Sequence, residues 1–201
     1  EQEGSGDFYK ATHGSLDVPC NTHVYLRVHE GALDLTVCCR SNDIVWGAYG
    51  ANAVHFSVLQ EYLATAVGVS VGVMYQISNN YHAYIDRPDT KRLFDPQAIG
   101  ITDNRYVFGF AQVSPLSFTS VELFDEAVRD FVENPLSAVA ASKSSFLATI
   151  ARPMALAHQQ HRDGDTEGAI QRLAGNYIDW HVAGKEWLER RMAAKKLKEQ
   201  A

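Results

Sequence analysis

An α+β fold is predicted by three features of this chain: an early hairpin signal, one well-bounded amphipathic helix set between strand-like segments, and a helix-rich second half. Residues 1–17 are polar, rich in Gly and Ser, and read as a loop. His23-Val24-Tyr25-Leu26-Arg27-Val28 follows as a strand, with Val24, Leu26 and Val28 on one face. Glu30-Gly31 makes a turn, and a second strand runs from Ala32 to about Arg40, with Leu33, Leu35 and Val37 alternating. Ser41-Asn42-Asp43 breaks it, and Gly47 and Gly50 keep the next stretch irregular.

A helix is predicted from about Asn52 to Val67, capped by Asn52 and stopped by Gly68. Its apolar positions Val54, Val58, Leu59, Tyr62, Leu63 and Ala66 recur at helical spacing. Segments 69–78 and 81–85 read as strands, 86–104 as a loop and 106–113 as a further strand. Two more helices are predicted, about 120–133 and 166–194. The second carries Ile170, Leu173, Tyr177, Trp180 and Trp187 and ends in a solvated basic tail.

The 201 residues fit one domain, 1–201, with a sizeable core. Apolar residues make up 46% and charged residues 21%, ordinary values for a globular protein. A net charge of −6 argues against a general nucleic-acid surface, so an anionic ligand would need local arginines. No apolar run reaches the length of a membrane span, and the first ten residues lack the basic start and apolar stretch of a signal peptide. The expected compartment is the cytoplasm. Cys20, Cys38 and Cys39 have neither disulfide nor zinc spacing, which predicts reduced thiols and no metal. The vicinal pair inside a strand is most simply packing.

Four segments carry candidate chemistry. In Asp17-Val18-Pro19-Cys20-Asn21, proline fixes the backbone just before a cysteine at the start of a strand. A sulfur held there can attack as thiolate if a cation lies near; alone, a buried packing role is commoner. Arg40-Ser41-Asn42-Asp43 concentrates an anion fork, a hydroxyl and a carboxylate where a strand opens into a loop. The plainer reading is a surface turn with a local ion pair. Gly47-Ala48-Tyr49-Gly50-Ala51-Asn52 lets the backbone approach a ligand, and the Asn52 amide can read a uracil edge or simply cap the helix. In Ser78-Asn79-Asn80-Tyr81-His82-Ala83-Tyr84, His82 and Tyr84 are two apart and share a strand face, where they could bind a sugar hydroxyl or water.

Together and in this order, DVPCN, RSND, a Gly-rich turn ending in Asn, and NYHAY resemble the thymidylate synthase family over roughly residues 16–86. The wording RSNDIVWGAYGANAVHFS is most similar to its phage-type branch, which includes deoxyuridylate and deoxycytidylate hydroxymethylases. The resemblance implies a mixed sheet covered by helices, with residues 135–201 a divergent helical part. It implies that Cys20 is the nucleophile that adds to carbon 6 of the pyrimidine. Arg40 and Ser41 would contact the nucleotide phosphate, Asp43 the folate and base, and Asn52 the uracil. His82 and Tyr84 would bind the deoxyribose hydroxyl. Trp46 would pack on the pterin, although core packing is its simpler role.

The implied co-substrate is 5,10-methylene-tetrahydrofolate, the nucleotide is deoxyuridylate or deoxycytidylate, and the assembly is a homodimer. An asparagine at 52 favours uracil, where an aspartate would suit cytosine. The family pattern places roughly a hundred residues ahead of the cysteine, including a phosphate-binding arginine loop. The expectation is therefore that the N-terminal part of the fold is missing here, or is supplied by another polypeptide. A non-catalytic nucleotide-binding or structural partner subunit is the competing reading. The helical C-terminal stretch tilts the product toward hydroxymethyl, which must admit water, and away from methyl.

Overall fold

The computed structural model describes residues 20–94, 109–175 and 177–199. They belong to two compact units, Glu1–Thr102 and Asp103–Ala201. The sequence expectations for the loop at 1–17, for 95–104 of the loop at 86–104 and for 106–108 fall outside the described residues.

The first unit is a three-stranded mixed sheet in the order β1-β2-β3, so the α+β reading holds. Strands β1 (Asn21–His29) and β2 (Ala32–Asp43) form the expected antiparallel hairpin. Its turn has both central residues at positive φ, Glu30 at 50° and Gly31 at 76°, the twist that a two-residue hairpin needs. β2 then runs through wide π-helical turns (Ile44–Ala51) into α1 (Asn52–Val67), which crosses back to β3 (Ser70–His82), parallel to β2. Gly68 at φ 78° stops α1, as predicted.

Alternation along β2 buries Leu33, Leu35, Val37 and Cys39 on one face. Phe56 of α1 and Met74 of β3 pack on Leu35, Val37 and Cys39. The buried line of α1 differs from the expected one. Gln60 and Ala64 are buried, while Val54 and Leu59 are exposed. The reason is chemical. Gln60 reaches the sheet and donates to the Leu33 carbonyl at 2.7 Å, and Ala64, one turn on, is small enough for close approach. A polar residue thus sits at the centre of the packing face.

Segments 69–78 and 81–85, expected as two strands, form one strand that ends at His82. Ser41, Asn42 and Asp43 continue β2 opposite Asn80, Tyr81 and His82, and this pairing carries β3 through its Ser-Asn-Asn stretch. The other face of the sheet bears the cross-strand rows Tyr25–Thr36–Tyr75 and His23–Cys38–Ile77. Tyr25, Val73, Tyr75 and Ile77 are all exposed there. A short helix, α2 (Pro88–Leu93), follows β3.

The second unit is helical: α3 (Val121–Glu133), α4 (Ala138–Ser142), α5 (Arg152–Arg162), α6 (Thr166–Leu173) and α7 (Asp179–Glu199). Ser120, Ser137 and Asp165 cap α3, α4 and α6 by accepting from the backbone N–H three residues on. Ala127, Ala141 and Leu147 form one small core; Ala157, Ala169, Ile170, Leu173 and Leu188 form another. The helix expected at 120–133 is present. The one expected at 166–194 is two helices: α6 ends at Leu173, Ala174 is extended with ψ 155°, and Gly175 follows with a left-handed φ of 74°. Tyr177 lies in that break, exposed, and is not on a helix face. Of the strand expected at 106–113, the described part makes a single parallel bridge between Gln112 and Ile178.

His181, on the first turn of α7, is 4% exposed, and neither ring nitrogen has a well-aligned hydrogen-bond partner. Burial lowers its pKa from the ordinary 6.5, and the Thr149 backbone and Asp179 offset this only in part. The unfolded chain therefore binds this proton more readily than the folded one. Stability is full above the ordinary value and falls as pH drops below it, until the depressed folded value is passed. Thermal midpoints taken between about pH 7.5 and about pH 5.5 should fall less in His181→Leu than in the parent. Equal falls would remove His181 as the cause.

Candidate active site

The sheet topology collects the candidate residues at one edge. β2 and β3 are parallel, so their C-terminal ends lie together, and β1 begins at that same end because it is antiparallel to β2. Cys20 stands immediately before β1 and is exposed. Its carbonyl accepts from the Arg40 N–H at 2.8 Å, which pairs the candidate nucleophile with the candidate anion ligand across the hairpin. Ser41, Asn42 and Asp43 end β2, and α1 starts here with Asn52.

Cys39 sits beside this pair. Its thiol donates to Asn21 Oδ1 at 3.1 Å. Burial first, then the neighbouring Cys20 and Cys38, push its pKa above the usual thiol value. Cys39 therefore stays protonated and buried, as the packing reading expected. The exposed sulfur at this edge belongs to Cys20.

Asp43 Oδ1 accepts from the N–H groups of Val45 and Trp46, at 3.0 and 2.6 Å, and so caps the π-helical segment. Its Oδ2 is buried with no hydrogen-bond partner, an acceptor available to a ligand donor. The register sets Asp43 beside His82 and Asn42 beside Tyr81. His82 Nδ1 donates to the Asn80 carbonyl at 3.3 Å, leaving Nε2 as acceptor. The His82 ring meets the Tyr84 ring edge-on with centroids 5.0 Å apart, so these two are neighbours as expected, although Tyr84 lies beyond the strand end.

Asn52 is not the helix cap that the sequence suggested. It already has helical φ and ψ, and Ala51 before it makes no side-chain cap. Its Nδ2 instead donates to Asn42 Oδ1 at 2.9 Å and lies 4.0 Å from the Cys39 sulfur. Trp46 is 58% exposed, which overturns core packing for it, and the Arg87 guanidinium stacks 4.5 Å from its ring centroid. Gly50 is required by close approach: a Cβ there would stand 2.6 Å from the Val45 carbonyl oxygen.

Sequence reasoning missed the polar wall of this edge. An open cavity of about 370 Å³ is lined by Asn42, Ala48, Tyr49, Gln76, Ser78 and Tyr81. Partial burial, then Tyr49 and Asp43, raise the Tyr81 phenol above its ordinary pKa. Gln76 and Ser78 interrupt an otherwise apolar strand at two-residue spacing, and that was the available signal. They share the face of β3 with Met74, toward α1. Among the described residues, no group of three or more His, Cys, Asp or Glu could hold a metal ion. No described helix is long and apolar enough to cross a membrane.

A family model for thymidylate synthase matches residues 10–99, the stretch that contains every one of these groups. The deoxyuridylate hydroxymethyltransferase of Pseudomonas phage M6 is 37% identical over 189 residues, 89% of this chain. Both matches point to the thymidylate synthase family. Within it, the likeness is to the phage branch: the deoxyuridylate hydroxymethyltransferase of Bacillus phage SP01 is 40% identical over 92 residues, 46% of this chain and 24% of that protein. A putative thymidylate synthase of Methanothermobacter marburgensis is 41% identical over 70 residues, 35% of this chain and 31% of its own length. The chain spans about half the length of the phage M6 relative, 53%.

Proposed function

We propose that this chain carries the nucleophile and the base-reading part of an enzyme that transfers one carbon from 5,10-methylene-tetrahydrofolate to carbon 5 of deoxyuridylate. The observation that carries the reading is the Cys20–Arg40 pairing at the sheet edge where Asn52 begins its helix. Carbon 5 of uracil is a poor nucleophile. Addition of the Cys20 thiolate to carbon 6 makes carbon 5 an enolate carbon, which attacks the methylene carbon of the folate. Asn52 supplies fixed hydrogen bonds to the ring edge as charge moves onto it. Arg40 and Ser41 hold the phosphate, and His82 and Tyr84 the deoxyribose hydroxyl. Asp43 offers its unpartnered Oδ2 to a donor on the base or pterin, and the Trp46 ring, already stacked on Arg87, offers an exposed face to the pterin.

Loss of the carbon 5 proton and departure of tetrahydrofolate leave an exocyclic methylene. Water adds its oxygen there and releases a proton, and the thiolate is expelled, giving the hydroxymethyl nucleotide. Hydride from the folate in place of water would give thymidylate and dihydrofolate. The hydroxymethyl outcome is favoured by the polar cavity wall, which can hold water, and by the names of the two phage relatives. Deoxyuridylate is preferred to deoxycytidylate because residue 52 is an amide. The expected compartment is the cytoplasm, that of the host if the chain is phage-encoded. The test is incubation of the full-length protein with deoxyuridylate and methylene-tetrahydrofolate, followed by mass analysis. A gain of a hydroxymethyl group with tetrahydrofolate supports the reading. A methyl group with dihydrofolate changes the product, and an unmodified nucleotide defeats the proposal.

A homodimer is part of the same proposal. The exposed side chains of Tyr25, Val73, Tyr75 and Ile77 form an apolar patch of the kind that a partner surface covers. Tyr75→Asp places a charge in this patch, on β3, and should shift the sedimenting species from dimer to monomer. A parent that sediments as a monomer ends the dimer proposal.

A further inference from the structure

Three carboxamides and one backbone carbonyl form a directed chain in the wall of the candidate site. Gln76 Nε2 donates to the Ala48 carbonyl at 2.9 Å. Asn42 Nδ2 donates to Gln76 Oε1 at 3.4 Å and to Ser78 Oγ at 2.9 Å. Asn52 Nδ2 donates to Asn42 Oδ1 at 2.9 Å. A carboxamide is almost symmetrical in shape and opposite in hydrogen bonding at its two ends, so a lone one can turn over at little steric cost. The anchor at Ala48 removes that freedom, because a backbone carbonyl can only accept. If Asn52 turned over, its Oδ1 would face Asn42 Oδ1. Turning Asn42 as well would require Gln76 to turn, which would set Gln76 Oε1 against the Ala48 carbonyl. Asn42 is only 2% exposed, and opposed oxygens are most costly away from water.

We propose that Gln76 and Asn42 are positioning residues that lock the Asn52 amide in one orientation and thereby select a uracil ring over a cytosine ring. The inference rests on the proposed function and extends it. With one N–H committed to Asn42 and the other meeting the Cys39 sulfur at a long 4.0 Å, a contact that a ring oxygen can replace, Asn52 keeps its Oδ1 and that second N–H for the ring. Those match the N3–H donor and O4 acceptor of uracil. Cytosine presents an acceptor at N3 and a donor at the 4-amino group, which fit the same amide only after it turns over. The lock turns a weak chemical preference into a specificity, because the cost of reversal is charged to the wrong ring alone. Gly47 belongs to the device. A Cβ there would stand 2.2 Å from Asn42 Oδ1 and 3.4 Å from Asn52 Nδ2, so this amide pair fits only against a glycine backbone.

The experiment is calorimetric titration of the full-length protein with deoxyuridylate and, separately, deoxycytidylate, in the parent and in Gln76→Met. Methionine keeps the length of the side chain and removes both of its hydrogen bonds. The ratio of the two dissociation constants should move about tenfold toward deoxycytidylate. Gly47→Ala attacks the lock from its other end and should move the ratio the same way, which keeps the test open if Gln76→Met does not fold. A ratio unchanged in a folded variant overturns the proposal, and so does equal weakening for both nucleotides, which would make the chain general support. Failure of the parent to bind deoxyuridylate is a different result: it removes the functional reading itself before any variant is made.

Discussion

Replacing Cys20 by serine is expected to lower turnover of deoxyuridylate by about 10⁴-fold while leaving nucleotide binding within a few-fold of the parent. The hydroxyl is nearly the same size, so the strand start and the Arg40–Cys20 backbone bond at 2.8 Å should survive. What is lost is the sulfur nucleophile itself, which a hydroxyl of similar size does not replace. The matched control is Cys39→Ser. That thiol is buried, donates to Asn21 and has its pKa raised by burial, so it is not available for attack. Cys39→Ser should keep turnover within about tenfold, with any loss following stability. Mass analysis of the nucleotide decides the matter. Turnover that survives in Cys20→Ser and disappears in Cys39→Ser would move the chemistry to the wrong sulfur and end the mechanism proposed.

What was legible in the sequence, and what was not, divides along physical lines. Local signals held. Glu30-Gly31 closes a hairpin because two residues at positive φ match strand twist, and Gly68 stops α1 for a similar backbone reason. The gathering of Cys20, Arg40, Asp43 and Asn52 at one edge was legible as an ordered set of motifs, and the β-α-β topology explains it. Residues whose role depends on a partner far along the chain were not legible. Gln60 is not among the apolar positions read for α1, yet it is buried because the Leu33 carbonyl accepts from its amide. Asn52 looked like a cap because nothing local announced Asn42 as its partner. Gln76 and Ser78 read as ordinary strand residues until β2 was set beside them. Gly175, like the spacing of Gln76 and Ser78, was a local signal overlooked, and it lies in the break that divides what periodicity had joined into a single helix.

The second large effect is on stability, and it tests whether the site edge depends on the strand that feeds it. Leu35 is fully buried at the middle of β2, packed with Val37, Cys39, Phe56 and Met74. Leu35→Ala removes its transfer free energy and leaves a cavity, a loss of about 3 kcal/mol. Three strands and one long helix have few other large side chains to refill that space, since Val37 is the other large residue at 0% exposure on this face. The same strand ends in Arg40, Ser41, Asn42 and Asp43, so a loosened β2 loosens the site from below. In urea unfolding followed by the fluorescence of Trp46, with Trp180 and Trp187 replaced by Phe in parent and variant alike, the first unit's midpoint should fall with little change in slope. Nucleotide affinity should follow the folded fraction and recover on cooling toward the temperature of maximum stability. A loss of stability below about 0.5 kcal/mol would mean that the sheet face is held by something other than this cluster. The directed amide chain would then need another explanation for its rigidity, because it hangs from the same strand.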